Sequence, residues 1–72
     1  MKKIKKIKIK INGKNKIIKE NTSMLELLKI LKIPIKKVAI ELNLEIMDKK
    51  KLNQIILKKS DKIEIVHFIG GG

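Results

Sequence analysis

The sequence predicts an α+β domain, with one main helix packed on one face of a mixed β-sheet, and three observations carry that prediction. Ile7, Ile9 and Ile11 alternate with lysines and run into Asn12-Gly13, the pattern of a half-buried strand entering a tight hairpin turn. Met24, Leu27, Leu28 and Leu31 then recur at the spacing of a single helical face. Short apolar runs follow, bounded by polar turns, and the last of them covers residues 62–68. A hairpin, then a helix, then more strands is the order expected of helix and sheet segregated into two layers.

Each element has its own local reason. Ile4, Ile7 and Ile11 would also fit a helical stripe, but β-branched side chains pack well on a pleated surface and Asn-Gly tolerates the positive φ of a hairpin turn. The returning strand is expected at residues 16–20, carrying Ile17 and Ile18. Ser23 followed by Glu26 reads as a capping box opening the helix. Pro34 disfavours helical geometry at Ile33, so the helix is expected to end near Lys32. Val38 to Leu42 reads as a central strand, which a right-handed crossover would set parallel to one of the first two. Asn43-Leu44 occupies a turn, with a short return strand at 45–47. Residues 48–53 are polar around the anchor Leu52, Ile55 and Leu57 mark another short strand, and 58–61 form a turn. The last strand puts Ile63 and Ile65 on one face and Glu64 and Val66 on the other. The expected core joins Met24, Leu27, Leu28 and Leu31 of the helix to Ile9, Val38, Ile40, Ile63 and Ile65 of the sheet.

Composition narrows the function classes. The 72 residues suit one domain, and the apolar fraction of 43% fills a core rather than leaving a disordered chain. No Cys is present, which removes disulfides, thiolate metal sites and a cysteine nucleophile. Apolar runs such as Val38-Ala39-Ile40 are far below the roughly 18 residues of a membrane span. Lysines break up the N-terminal segment where a signal peptide would need an apolar region. The expectation is therefore a cytoplasmic protein, or a stromal one if plastid-encoded, with no membrane partner. The net charge of +12 raises nucleic acid as a partner. Every basic residue is lysine, however, and Phe68 is the single aromatic, so bidentate phosphate or base contacts and stacking platforms are largely missing. Nucleic acid is disfavoured, and the lysines read first as a solvated coat.

The residues 38–72, VAIELNLEIMDKKKLNQIILKKSDKIEIVHFIGGG, resemble the ThiS family of sulfur carriers from thiamine biosynthesis. Asn12-Gly13 and Ser23-Met24-Leu25-Glu26-Leu27-Leu28 agree in order and spacing, so the likeness covers nearly the whole chain. Its most specific parts are Glu41-Leu42-Asn43, the strand from Asp61 to Phe68 and the closing glycines. The resemblance implies a ubiquitin-like β-grasp domain over residues 1–68 and a flexible tail over 69–72. It implies a carrier, not an enzyme, that acts as a co-substrate of partner enzymes and binds no cofactor itself. An E1-like adenylating enzyme would use ATP to activate Gly72, whose carboxylate would become a thiocarboxylate. A sulfur donor such as a cysteine desulfurase relay would supply the sulfur, and thiazole synthase would receive it. Asn21, Leu44 and Ser60 stand where the family commonly has Gly in turns; Leu44 tolerates a left-handed backbone poorly.

The tail suits that chemistry on elementary grounds. A terminal carboxylate, with an ordinary pKa of about 3.3–3.7, is ionised at neutral pH and can attack the α-phosphorus of ATP. Gly70, Gly71 and Gly72 have no Cβ, so a partner can enclose them in a narrow channel. With Ile69 they extend roughly 13–14 Å beyond Phe68. Val66, Phe68 and the neighbouring His67 make a docking patch beside the tail, the competing reading being a small core that uses both faces of the strand. His67, the only histidine, has no Cys or second His to share a metal, and no metal site is expected. The free chain is expected to be monomeric. Alternative readings are a carrier for molybdopterin synthesis or tRNA thiolation, a ubiquitin-like protein modifier, and a basic nucleic-acid-binding module.

Overall fold

Residues 4–69 are described by the computed structural model. Their elements run β1 (Lys6–Ile11), β2 (Lys14–Lys19), α1 (Met24–Ile30), a short 3₁₀ turn (Ile35–Lys37), β3 (Val38–Leu42), β4 (Glu45–Ile46), a 3₁₀ helix (Lys49–Gln54) and β5 (Lys62–His67). The strands form one mixed sheet in the order β2-β1-β5-β3-β4, with α1 across one face. The α+β layout read from the sequence is the observed one.

The hairpin forms where Asn12-Gly13 placed it. Both residues have positive φ, 49° and 82°, and Ile11 pairs with Lys14 across a two-residue turn. That short turn starts β2 at Lys14, two residues before the expected strand. At the helix start Glu26 N–H donates to Ser23 Oγ and Ser23 N–H donates to Glu26 Oε1, both at 3.1 Å, completing the predicted capping box. The helix stops earlier than the proline alone implies. Ile30 is its last residue, Leu31 is the C-cap, and Lys32 turns left-handed at φ 57°. Ile33 N–H then donates to the Leu28 carbonyl and Lys32 N–H to that of Lys29, the paired bonds of a Schellman ending. Leu31, expected in the core, is half-buried because it lies at this cap.

Two expectations about the sheet are corrected, the middle place for β3 and the strand at 55–57, while the expected parallel direction of β3 to one of the first two strands is observed. β3 lies inside the sheet but not at its centre; β5 occupies the middle place. β3 runs in the same direction as β2 without pairing to it, and the parallel ladder joins β5 to β1 through Lys10–Lys62 and Ile11–Ile63. The crossover through α1 carries the chain past β1 and leaves a gap that the last strand fills. Ile55 to Leu57 is likewise no strand of the sheet. Its backbone turns to the helix start instead: Met24 N–H donates to the Ile55 carbonyl at 2.8 Å and Leu57 N–H to that of Thr22 at 2.9 Å. A single bridge, Ser23 to Ile56, is all the strand pairing there.

The core fills the space between α1 and the sheet. Met24, Leu27 and Leu28 of α1 are buried against Ile9, Ile18, Val38 and Ile40. Ile63 and Ile65 close it from β5, and Leu52 and Leu57 close it from the long connection before that strand. Asp48 caps the 3₁₀ helix by accepting from Lys50 N–H at 2.9 Å, which holds Leu52 inward. Fully burying each such side chain contributes about 1.5–3 kcal/mol. No helix among the described residues is long and apolar enough to cross a membrane.

Candidate functional site

The middle of the sheet ends at the segment expected to carry function. β5 is held on one side by β1 and on the other by β3, in a continuous register from Leu42–Ile63 to Val38–His67. Pairing continues one residue further, because Phe68 N–H donates to the Lys37 carbonyl at 2.8 Å. Ile69 follows and is 99% exposed. Gly70, Gly71 and Gly72, the residues expected to enter a partner's active site, lie outside the described residues.

Alternation along β5 decides which side chains flank that exit. Ile63 and Ile65 point into the core, so Lys62, Glu64, Val66 and Phe68 share the outward face. Val66 is 53% and Phe68 45% exposed, so the two apolar residues do not serve a second core. His67, opposite Val38 at the end of β5, is exposed too. Lys49 Nζ lies 5.0 Å from the centre of the Phe68 ring. Such a cation over an aromatic face is worth roughly 0.5–1 kcal/mol at an exposed position, enough to favour one ring orientation.

The sheet adds neighbours that the sequence reading did not include. Ala39 is directly opposite Val66, and Glu41 is opposite both Glu64 and Ile46. Residues opposite each other project to the same side, so Ala39 and Ile46 extend the outward apolar strip. Ile46 is 77% exposed. A signal for it existed: a two-residue turn at Asn43-Leu44 pairs Glu41 with Ile46, and Glu41 faces outward once Ile40 faces in. Ala39 carried no such signal, since its place beside Val66 depends on β3 pairing with β5. Among the described residues no three His, Cys, Asp or Glu side chains gather as a metal site would need.

A strand in the centre of a mixed sheet that leads to the exposed Ile69, beside a small apolar strip, is the arrangement on which comparison with known proteins bears. The model of the ThiS family matches residues 9–72. The chain belongs to the ThiS family. The sulfur carrier protein ThiS of Bacillus subtilis is 38% identical over 65 residues, covering 89% of this chain and 98% of that protein. A thiazole synthase of Paramagnetospirillum magneticum is 41% identical over 66 residues, and one of Magnetococcus marinus 36%. The chain spans about a fifth of the length of these two synthases. Among solved structures, the crystal structure of ThiS from Geobacter metallireducens superposes with a TM-score of 0.81 at 30% identity, covering 92% of this chain and all of the other. The mixed sheet with one main helix is thus the β-grasp fold of ThiS. The turn residues Asn21, Leu44 and Ser60, where ThiS proteins commonly have Gly, all adopt positive φ, at 67°, 73° and 70°.

Proposed function

We propose that this chain is a sulfur carrier in thiamine biosynthesis, with sulfur held as a thiocarboxylate on Gly72. The observation that carries the reading is the ThiS family match across residues 9–72, joined to a central strand whose continuation is exposed at Ile69. The chain acts as a co-substrate of its partners. The Gly72 carboxylate attacks the α-phosphorus of ATP on an E1-like adenylating enzyme and pyrophosphate leaves. The acyl adenylate is a mixed anhydride, and the terminal sulfur of a donor persulfide displaces AMP at its carbonyl. A second thiol cleaves the resulting acyl disulfide, releasing the thiocarboxylate and leaving a disulfide on the donor side.

The division of labour follows from the chemistry. The carrier contributes a carboxylate that is ionised at neutral pH and a tail narrow enough to be enclosed. The adenylating enzyme supplies the ATP site. Thiazole synthase is the proposed acceptor, a reading supported by the likeness of this chain to part of two proteins of that name. Val66, Phe68, Ala39 and Ile46 form the strip on which a partner seats while Ile69 to Gly72 reach inward.

The test is intact-mass spectrometry of the chain after incubation with ATP, a persulfide donor and the adenylating enzyme of the same organism. The expected product carries the mass gain of one oxygen-for-sulfur replacement, localised to Gly72 by fragmentation. An unchanged mass, with the enzyme competent toward its own control carrier, overturns the reading.

A further inference from the structure

The outward face of the sheet is divided in two. Around the end of β5 it is apolar with carboxylates, Val66 and Ala39 lying beside the facing pair Glu41 and Glu64. Across β1 and the start of β5 it is lysine, and Lys19 joins from β2. Lys6, Lys8 and Lys10 alternate outward on β1, Lys19 stands directly opposite Lys6, and Lys62 stands opposite Lys10. All five are exposed. Exposed Ile17 faces Lys8, and a shallow depression of about 260 Å³ opens among Lys8, Lys10, Asn15, Ser60 and Lys62.

An even coat would not place lysine opposite lysine. Like charges facing each other across strands work against the sheet, and here the pairings are made twice. Five of the 19 lysines thereby share one sheet face, where an opposing negative surface would relieve their repulsion. Lys62 and Val66 are four residues apart on one strand, roughly 13 Å, so one partner surface can cover both halves.

We propose that the lysine half docks on an acidic protein surface bordering the channel that admits the glycine tail, with the apolar half seated beside it. This rests on the carrier reading above. Two features favour protein over nucleic acid. The lysine half has neither arginine for bidentate phosphate contacts nor an aromatic ring for stacking. It is also continuous with an apolar strip and two carboxylates, which suit a protein surface and repel a phosphate backbone. Attraction of this kind acts mainly on the rate of encounter and weakens with salt.

The test measures association of the full chain with the adenylating enzyme of the same organism by stopped flow over a range of ionic strength. Two triple variants with the same net charge are compared: Lys8→Gln/Lys10→Gln/Lys62→Gln on the face, and Lys29→Gln/Lys36→Gln/Lys50→Gln on α1 and the two 3₁₀ segments. At low salt the face triple is expected to associate about tenfold more slowly with a flattened salt dependence, while the other triple stays close to the parent chain. Thermal melts of the face triple should show no loss of stability, since like-charge pairs are removed. Equal behaviour of the two triples overturns the proposal. So does selective loss of affinity for a mixed-sequence oligodeoxynucleotide with enzyme association unchanged. Sulfur loading at excess enzyme is read in parallel. If both triples load to completion but associate alike, only the docking proposal fails; if the parent chain is never loaded, the carrier reading itself fails.

Discussion

The side-chain amide of Asn12 grips the backbone of Ile65 with both of its polar atoms. Ile65 N–H donates to Asn12 Oδ1 at 2.8 Å, and Asn12 Nδ2 donates to the Ile65 carbonyl at 3.3 Å. β1 pairs with β5 only at Lys10 and Ile11, and the amide takes over where that ladder stops. The residue that turns the hairpin therefore also secures the strand leading to the tail.

Asn12→Gly should separate these two roles. Glycine keeps the positive φ of the turn but has no amide to offer Ile65. A loss of about 1–2 kcal/mol is expected by chemical denaturation, together with faster hydrogen exchange at the Ile65 amide. Unchanged exchange there would show that the side-chain bonds do not hold β5.

Leu44→Gly should stabilise the protein. Leu44 has φ 73° and is 89% exposed, so it bears left-handed strain with little burial to offset it. Relief of about 1–2 kcal/mol is opposed by up to about 1 kcal/mol of added chain entropy in the unfolded state. With that entropy taken as about 0.5–1 kcal/mol, the net gain is about 0–1.5 kcal/mol, and each kcal/mol raises Tm by about 4–8 °C in a domain of this size. Leu44→Ala, which keeps a Cβ at the same φ, should show no comparable gain.

The core should respond according to burial. Leu28 is fully buried, and Leu28→Ala is expected to cost about 2–5 kcal/mol. A domain of this length has a total stability of only about 4–11 kcal/mol, so a large fall in Tm is expected by circular dichroism. Leu31→Ala, at the half-buried helix cap, should cost clearly less.

Deletion of Gly72 should separate fold from chemistry. Neither the sheet nor the core described above depends on it, so the melt should match the parent chain. The carboxylate on Gly71 would stand one residue short, by roughly 3.3–3.6 Å, whereas attack on phosphorus needs the reacting atoms about 3–3.5 Å apart. Adenylation and sulfur loading should disappear. Gly71→Val should fold normally and also fail to load, through a clash of its side chain in the partner's channel. A truncated chain loaded as fast as the parent would contradict the carboxylate's assigned role.

Much of the candidate site was legible because it depends on local rules. Alternation along residues 62–68 assigns Val66 and Phe68 outward without knowledge of any neighbour, and the Asn12-Gly13 turn and the Ser23–Glu26 box are set by interactions within a few residues. Ala39 beside Val66, by contrast, joins residues from strands whose pairing no local pattern announces. The same holds for Asn12 and Ile65, which are 53 positions apart.

By itself the sequence determined the order of hairpin, helix and later strands, the inward and outward faces of the first and last strands, the helix start, and the likeness to a carrier family through its motifs. The tertiary structure alone decided that β5 takes the centre of the sheet, parallel to β1. It also decided that residues 55–57 bond to the helix start rather than to the sheet, and that five lysines share one face. The reason is physical. Periodicity and capping act through the covalent chain over a few residues, whereas strand order depends on which distant backbone groups satisfy each other once the helix has crossed the sheet and left one place open.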